Sequence, residues 1–225
     1  LTQGTIIFMA TVGEEMEQSG SQQLFEKGYA DDLDALLIAE PSFPSLVYAH
    51  KGSMDFRIKS KGRASHSSIP FSGQNAIIQN INQEYEKIMQ TVKGESLDFS
   101  NMINKLENQL PSHITKEKAQ ELIQGLVMTN SIVQGGTQVN SVPDFATAEF
   151  NVRTIPEYNN NKVKALFNEY IEQANHNGAS LTQELYLDLE PVVTTGQNRL
   201  VELGFDIAKS HFSNERDLII TPTVA

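Results

Sequence analysis

Ser53-Met54-Asp55-Phe56-Arg57-Ile58-Lys59-Ser60 alternates apolar and polar side chains from Met54 to Lys59. A period of two is the mark of a β-strand with one buried and one wet face. Reading forward, Ile77, Ile78, Ile81, Tyr85, Ile88, Met89 and Val92 recur at helical spacing. Residues 94–125 are more polar and read as an insertion holding one or two short helices. Strands are expected at about residues 126–134 and 145–153, the second alternating through Ala146, Ala148, Phe150 and Val152. Val163, Leu166, Phe167, Tyr170, Ile171 and Ala174 mark a further amphipathic helix, stopped near Asn177-Gly178. Leu181, Leu185, Leu187 and Leu189 form a last strand, ended by Pro191. The order β-α-(insert)-β-β-α-β predicts a ferredoxin-like α+β domain over residues 53–190.

Outside that span the pattern differs. Thr5 to Val12 is a continuous apolar run of strand length, expected to be buried on both faces, and Gly13-Glu14-Glu15 ends it. A short helix should start at Ser19, with Gln22 as a capping-box partner, and end before Gly28. Leu36-Leu37-Ile38-Ala39 is a second buried run, closed by Glu40-Pro41. Helical spacing returns at Leu200, Val201, Ile207 and Ala208, and Leu218-Ile219-Ile220 reads as a final strand. Strand, helix, strand with fully apolar strands predicts an α/β layer. The expected plan is an α/β domain in residues 1–52, interrupted by the α+β domain in 53–190 and resumed in 191–225. The chain opens on Leu1 and reads as a piece of a longer protein.

The 225 residues hold 17 basic and 28 acidic side chains, a formal charge of −11. Such a surface repels phosphate backbones and anionic lipids, which argues against nucleic-acid and membrane partners. With no cysteine, disulfides, thiolate zinc sites and cysteine nucleophiles are excluded. The cysteine count permits an intracellular site, and a cytoplasmic location is the expectation.

Adjacent acids are ordinarily solvated surface, but Glu14-Glu15 follows an apolar run at the place where open α/β sheets put their ligands. Neighbouring side chains diverge there, so one carboxylate could bind a metal while the other faces substrate as general base. Glu40 holds the equivalent place after the next apolar run. An oxygen-only set does not choose zinc over magnesium. His66 lies in the small-residue turn Lys61-Gly62-Arg63-Ala64-Ser65-His66-Ser67-Ser68. A turn histidine often bonds its own backbone, and a catalytic one could occupy the same place. No His-Glu-x-x-His or His-x-Asp spacing occurs, and no Gly-x-Ser-x-Gly nucleophile turn.

Five ordered motifs carry a resemblance that spans most of the chain: Ala10-Thr11-Val12-Gly13-Glu14-Glu15; Glu40-Pro41-Ser42 with His50-Lys51-Gly52; Gly62 to Ser68; Gly73-Gln74-Asn75-Ala76-Ile77; and Gly136 to Pro143 with the strand ending in Arg153. The sequence resembles the zinc peptidase family of succinyl-diaminopimelate desuccinylase, acetylornithine deacetylase, aminoacylase and glutamate carboxypeptidase. That resemblance implies a catalytic α/β domain interrupted by an inserted ferredoxin-like lid and dimerisation domain. It implies metal-dependent hydrolysis of an N-acyl amide, with two zinc ions in the full-length enzyme, cobalt or manganese being possible substitutes. Glu14 looks like the general base, Glu15 like a ligand of one zinc and Glu40 of the other. His66 is similar to the lid histidine that reaches a partner subunit's active site, and Asn140 and Arg153 resemble substrate-holding lid residues. A homodimer through the lid domain, acting on a small N-acyl amino acid, follows from the same likeness. The wording looks closest to desuccinylases of diaminopimelate and lysine biosynthesis, with acetylornithine deacetylase, aminoacylase, dipeptidase and a non-catalytic lid fragment as alternatives. The family's upstream His-x-Asp segment, bridging aspartate and C-terminal histidine are missing, so this chain alone is expected to be inactive. The strand 53–60 or the helix after it is expected to supply the dimer edge.

Overall fold

The computed structural model describes residues 4–14, 18–41, 45–76, 92, 94, 97–194, 198–211 and 218–221. They form two compact units, Leu1–Glu40 and Pro41–Ala225. In the first, α1 (Ser19–Glu26) occupies the expected span. Its start differs from expectation: Gln18 precedes it with φ +54° and no side-chain cap, and the Gln22 amide donates to Glu26 (3.1 Å) rather than closing a capping box. The two apolar runs are a larger correction. Residues 5–12 and 36–39 are not strands, and Ile6 and Phe8 are about nine-tenths exposed (89% and 90%). An apolar run becomes a buried strand only when neighbouring strands supply its ladder and cover its faces. Among the described residues none pairs with either run.

The second unit is built on a four-stranded antiparallel sheet of β2 (Ser53–Lys61), β4 (Val127–Gly135), β6 (Phe145–Arg153) and β7 (Leu181–Leu189), in the order β4-β6-β2-β7. That is the ferredoxin-like order, with the first and third strands at the centre. Met54 faces Val152 and Phe56 faces Phe150 across the β2–β6 ladder. These four, with Ile58, Met128 and Leu181, form the buried face on which α4 (Asn160–His176) lays Val163 and Phe167. The rings of Phe56 and Phe167 stack with centroids 4.2 Å apart, and Phe150 meets Phe167 edge-on at 6.3 Å. Arg57, Lys59, Glu149 and Glu184 pair on the wet face. Helix α4 starts where the Asn159 side chain accepts from the Lys162 amide (3.2 Å). It ends where Gly178, at φ +92°, lets the Ala179 amide reach back to the Ala174 carbonyl (3.0 Å). The polar insertion folds as α2 (Ser100–Leu106) and α3 (Lys116–Gln124), as its composition suggested. The helix expected over 77–92 lies, apart from Val92, outside the described residues.

A smaller three-stranded sheet, ordered β8-β1-β9, joins β1 (Leu46–His50) antiparallel to β8 (Val192–Val193) and parallel to β9 (Leu218–Thr221). Helix α5 (Arg199–His211) has the predicted helical spacing. The chain crosses between the sheets twice, at Lys51-Gly52 and at Glu190-Pro191. A two-stranded ribbon, β3 (Ser65–His66) with β5 (Ser141–Val142), completes the strands. Among the described residues no helix is long and apolar enough to cross a membrane.

The expectation that strand 53–60 offers a dimer edge is overturned by the sheet order. β2 is central, bonded to β6 on one side and β7 on the other, so its backbone donors and acceptors are already used.

Candidate functional site

His66 and Asn140 are brought together by β3 and β5. His66 faces Ser141 across the ribbon, and the Ser67 amide donates to the Asn140 carbonyl at 2.9 Å. The imidazole is exposed. The Ser68 amide donates to Nδ1 (3.2 Å), and the Ser68 hydroxyl lies 2.8 Å from the same nitrogen. An amide N–H only donates, so Nδ1 is the acceptor and the neutral ring carries its proton on Nε2. The backbone thus fixes the tautomer, leaving an outward N–H donor at the tip. Asn140 is exposed beside it.

Arg153 ends β6, half-buried, opposite Val127. It is next to the junction at which the His50-Lys51-Gly52 motif meets Thr154. The Gly52 and Thr154 backbones exchange two hydrogen bonds, of 3.1 and 3.2 Å. A Cβ on Gly52 would collide with Thr154 Oγ1 and come within 2.6 Å of the Leu189 carbonyl oxygen, so only glycine permits this approach. The Thr154 hydroxyl donates to Asn160 Oδ1 (2.5 Å), and Asn160 Nδ2 donates to Asp188 (2.8 Å), which also pairs with Lys164. Thr154 and Asn160 are fully buried, so this chain of satisfied polar groups stitches β6, α4 and β7 where the two sheets meet.

Lys51 is the fully buried cation at the same junction. Its ammonium donates to the carbonyls of Ile123 and Gly125, at the end of α3, the latter at 2.5 Å. The Phe99 ring centroid lies 5.2 Å from Nζ. Burial and, secondarily, the Arg153 charge lower the Lys51 pKa to about 7. His50-Lys51-Gly52 enters the sequence analysis as a motif of the resemblance, which carries no sign that the lysine is buried.

Glu14 is exposed in a turn, and Glu40 is partly exposed at the end of the first unit. Glu15 lies outside the described residues. Because the runs before Glu14 and Glu40 are not strands, no sheet edge among the described residues gathers these two carboxylates. Among the described residues no group of three or more His, Asp or Glu side chains could hold a metal ion. A catalytic zinc site takes about three protein ligands, often with histidine nitrogen among them. Glu14 and Glu40, the two of these carboxylates among the described residues, do not by themselves make up such a site.

Residues 48–179, more than half the chain, match the peptidase dimerisation domain of the M20 peptidases. The chain belongs to the M20 peptidase dimerisation-domain family. The chain is 39% identical over 230 aligned residues to a "probable succinyl-diaminopimelate desuccinylase" of Staphylococcus aureus, covering 100% of this chain and 55% of that protein. A protein of the same description from Staphylococcus epidermidis is 40% identical with the same coverage. The chain therefore spans about half the length (55%) of these curated relatives. A solved tripeptidase from Staphylococcus aureus superposes with a TM-score of 0.61 at 19% identity, covering 95% of this chain and 49% of that one, which shows the shared fold.

Proposed function

We propose that the full-length protein hydrolyses an N-acyl amide, with N-succinyl-diaminopimelate as the first substrate to test. The observation that carries this reading is the 39–40% identity, over the whole of this chain, to relatives described as succinyl-diaminopimelate desuccinylases. Residues 53–190 are the lid and dimerisation domain, and residues 1–52 and 191–225 belong to the catalytic domain. Glu14 is the general base, taking a proton from the attacking water and passing it to the leaving amine. His66 supports its role best by geometry, because an outward Nε2–H is suited to donate to the oxyanion that develops on the acyl carbonyl. The Asn140 amide and the Arg153 guanidinium hold the substrate, the latter gripping a carboxylate in bidentate fashion. Glu15 and Glu40 would each supply one carboxylate to a zinc pair. The described residues do not complete that site, and no step is routed through it.

The protein works as a homodimer joined edge to edge through the lid, with His66 serving the partner's site. The described sheet has two edges, β4 and β7. β7 carries exposed Glu184 and Tyr186, whereas β4 carries exposed Ile132 and Val133 near its C-terminal end. Charged edges resist pairing, so β4 is the dimer edge. Steady-state hydrolysis of N-succinyl-diaminopimelate, N-acetylornithine and N-acetylmethionine by the full-length protein tests the activity. Preference for the succinyl substrate is expected, and turnover of none of the three would overturn the reading.

A further inference from the structure

Two cations meet at the junction of the sheets, and only one is placed to touch a ligand. Gly52 and Thr154 face each other across the ladder, so Lys51 and Arg153 extend on the same side of it. Lys51 is sealed in while Arg153 is half-exposed. Around Lys51, the end of α3 contributes only the carbonyls of Ile123 and Gly125, and the segment before α2 contributes the Phe99 ring. On its own segment, His50 donates from Nδ1 to the Lys51 carbonyl (2.8 Å). From β6, Arg153 weighs on it electrostatically, and among the described residues no carboxylate does.

We propose that Lys51 is a positioning residue for carboxylate binding: its buried cation, held by the carbonyls that end α3, strengthens the grip of Arg153 on an anionic ligand, and the grip weakens as Lys51 loses its proton. This rests on the assignment of Arg153 as the carboxylate-holding residue. An anion seated on Arg153 offsets the repulsion between the cations, which favours the charged form of Lys51. By reciprocity, the charged form must favour the anion by the same factor. Buried charges interact more strongly than solvated ones. A group that titrates near neutrality therefore turns a fixed arginine into a proton-linked anion site.

The test uses the full-length protein with ¹³C-labelled lysine and succinate as the probe. Expected is a Lys51 midpoint near 7 in the free protein, rising by about one unit with saturating succinate, which is a tenfold coupling. Succinate should then bind several-fold more weakly at about pH 9 than at about pH 6.5, and Lys51→Met should flatten that dependence. The labelled native protein decides the matter even if Lys51→Met does not fold. A Lys51 midpoint that succinate leaves unmoved, while Arg153→Ala weakens succinate binding, would overturn the role of Lys51 and leave that of Arg153 standing. Undiminished succinate binding by Arg153→Ala would overturn the assignment of Arg153 itself.

Discussion

Lys51 is a charge carried into a place that strips it of water, and the consequence is measurable without any substrate. Its pKa falls from 10.5 in the unfolded chain to about 7 in the fold. Between those values the unfolded state binds more protons, so stability rises with pH; below about 7 the burial penalty is fully present. Relative to Lys51→Met, the native 225-residue chain should gain up to about 1.4 kcal/mol per pH unit from about pH 7 upward. Urea titrations at pH 7, 8 and 9 check this, and parallel curves for the two proteins would contradict it. Glu14 is the second residue to test. Glu14→Ala in the full-length protein should cut turnover by about 10²–10⁴-fold while leaving metal content intact. Turnover close to that of the native protein would remove Glu14 from the mechanism.

At the scale of elements, α4 and β4 make separable contributions. Phe167 packs against both Phe56 and Phe150, so Phe167→Ala should cost about 3–5 kcal/mol through lost burial and the cavity left behind. Asn159→Ala removes only the cap over the Lys162 amide and should cost about 1 kcal/mol. Denaturant midpoints at constant m-value would rank the two. Strand β4 is tested by charge. Ile132→Lys together with Val133→Glu should turn a dimer into a monomer in sedimentation velocity, leaving the helical and sheet circular dichroism unchanged. A dimer that survives both changes would move the interface elsewhere.

For the whole molecule, the two units lead to opposite expectations. Residues 1–40 carry Glu14, Glu15 and Glu40 but no cluster able to hold a metal among the described residues. The 225-residue chain by itself should therefore show no stoichiometric zinc pair and no amide hydrolysis, while its four-stranded sheet remains ordered. Metal analysis with an amide-hydrolysis assay decides this, and two tightly bound zinc ions would reveal ligands beyond those identified. If His66 serves the partner's site, mixing full-length Glu14→Ala with full-length His66→Ala subunits should restore part of the activity, because one hybrid site is intact. Verified subunit exchange with no recovery would place His66 in its own subunit's site.

Local periodicity sufficed for the α+β domain. Alternation in 53–60 and 145–153, helical spacing from Val163 to Ala174, and Gly178 after the helix each act within a few residues. The structure realises them as β2, β6 and α4. His66 and Asn140 were legible as motif residues, but their adjacency came from pairing across about 75 positions. Three properties belong to the tertiary structure alone. The apolar runs at 5–12 and 36–39 have strand composition, yet a strand needs partners that composition cannot provide. The position of β2 in the middle of the sheet, which removes it as a dimer edge, is a matter of strand order. The burial of Lys51 is the third, because a charge's burial depends on what distant segments pack over it. Here Phe99, Ile123 and Gly125 close over the ammonium from 48 to 74 residues further along the chain.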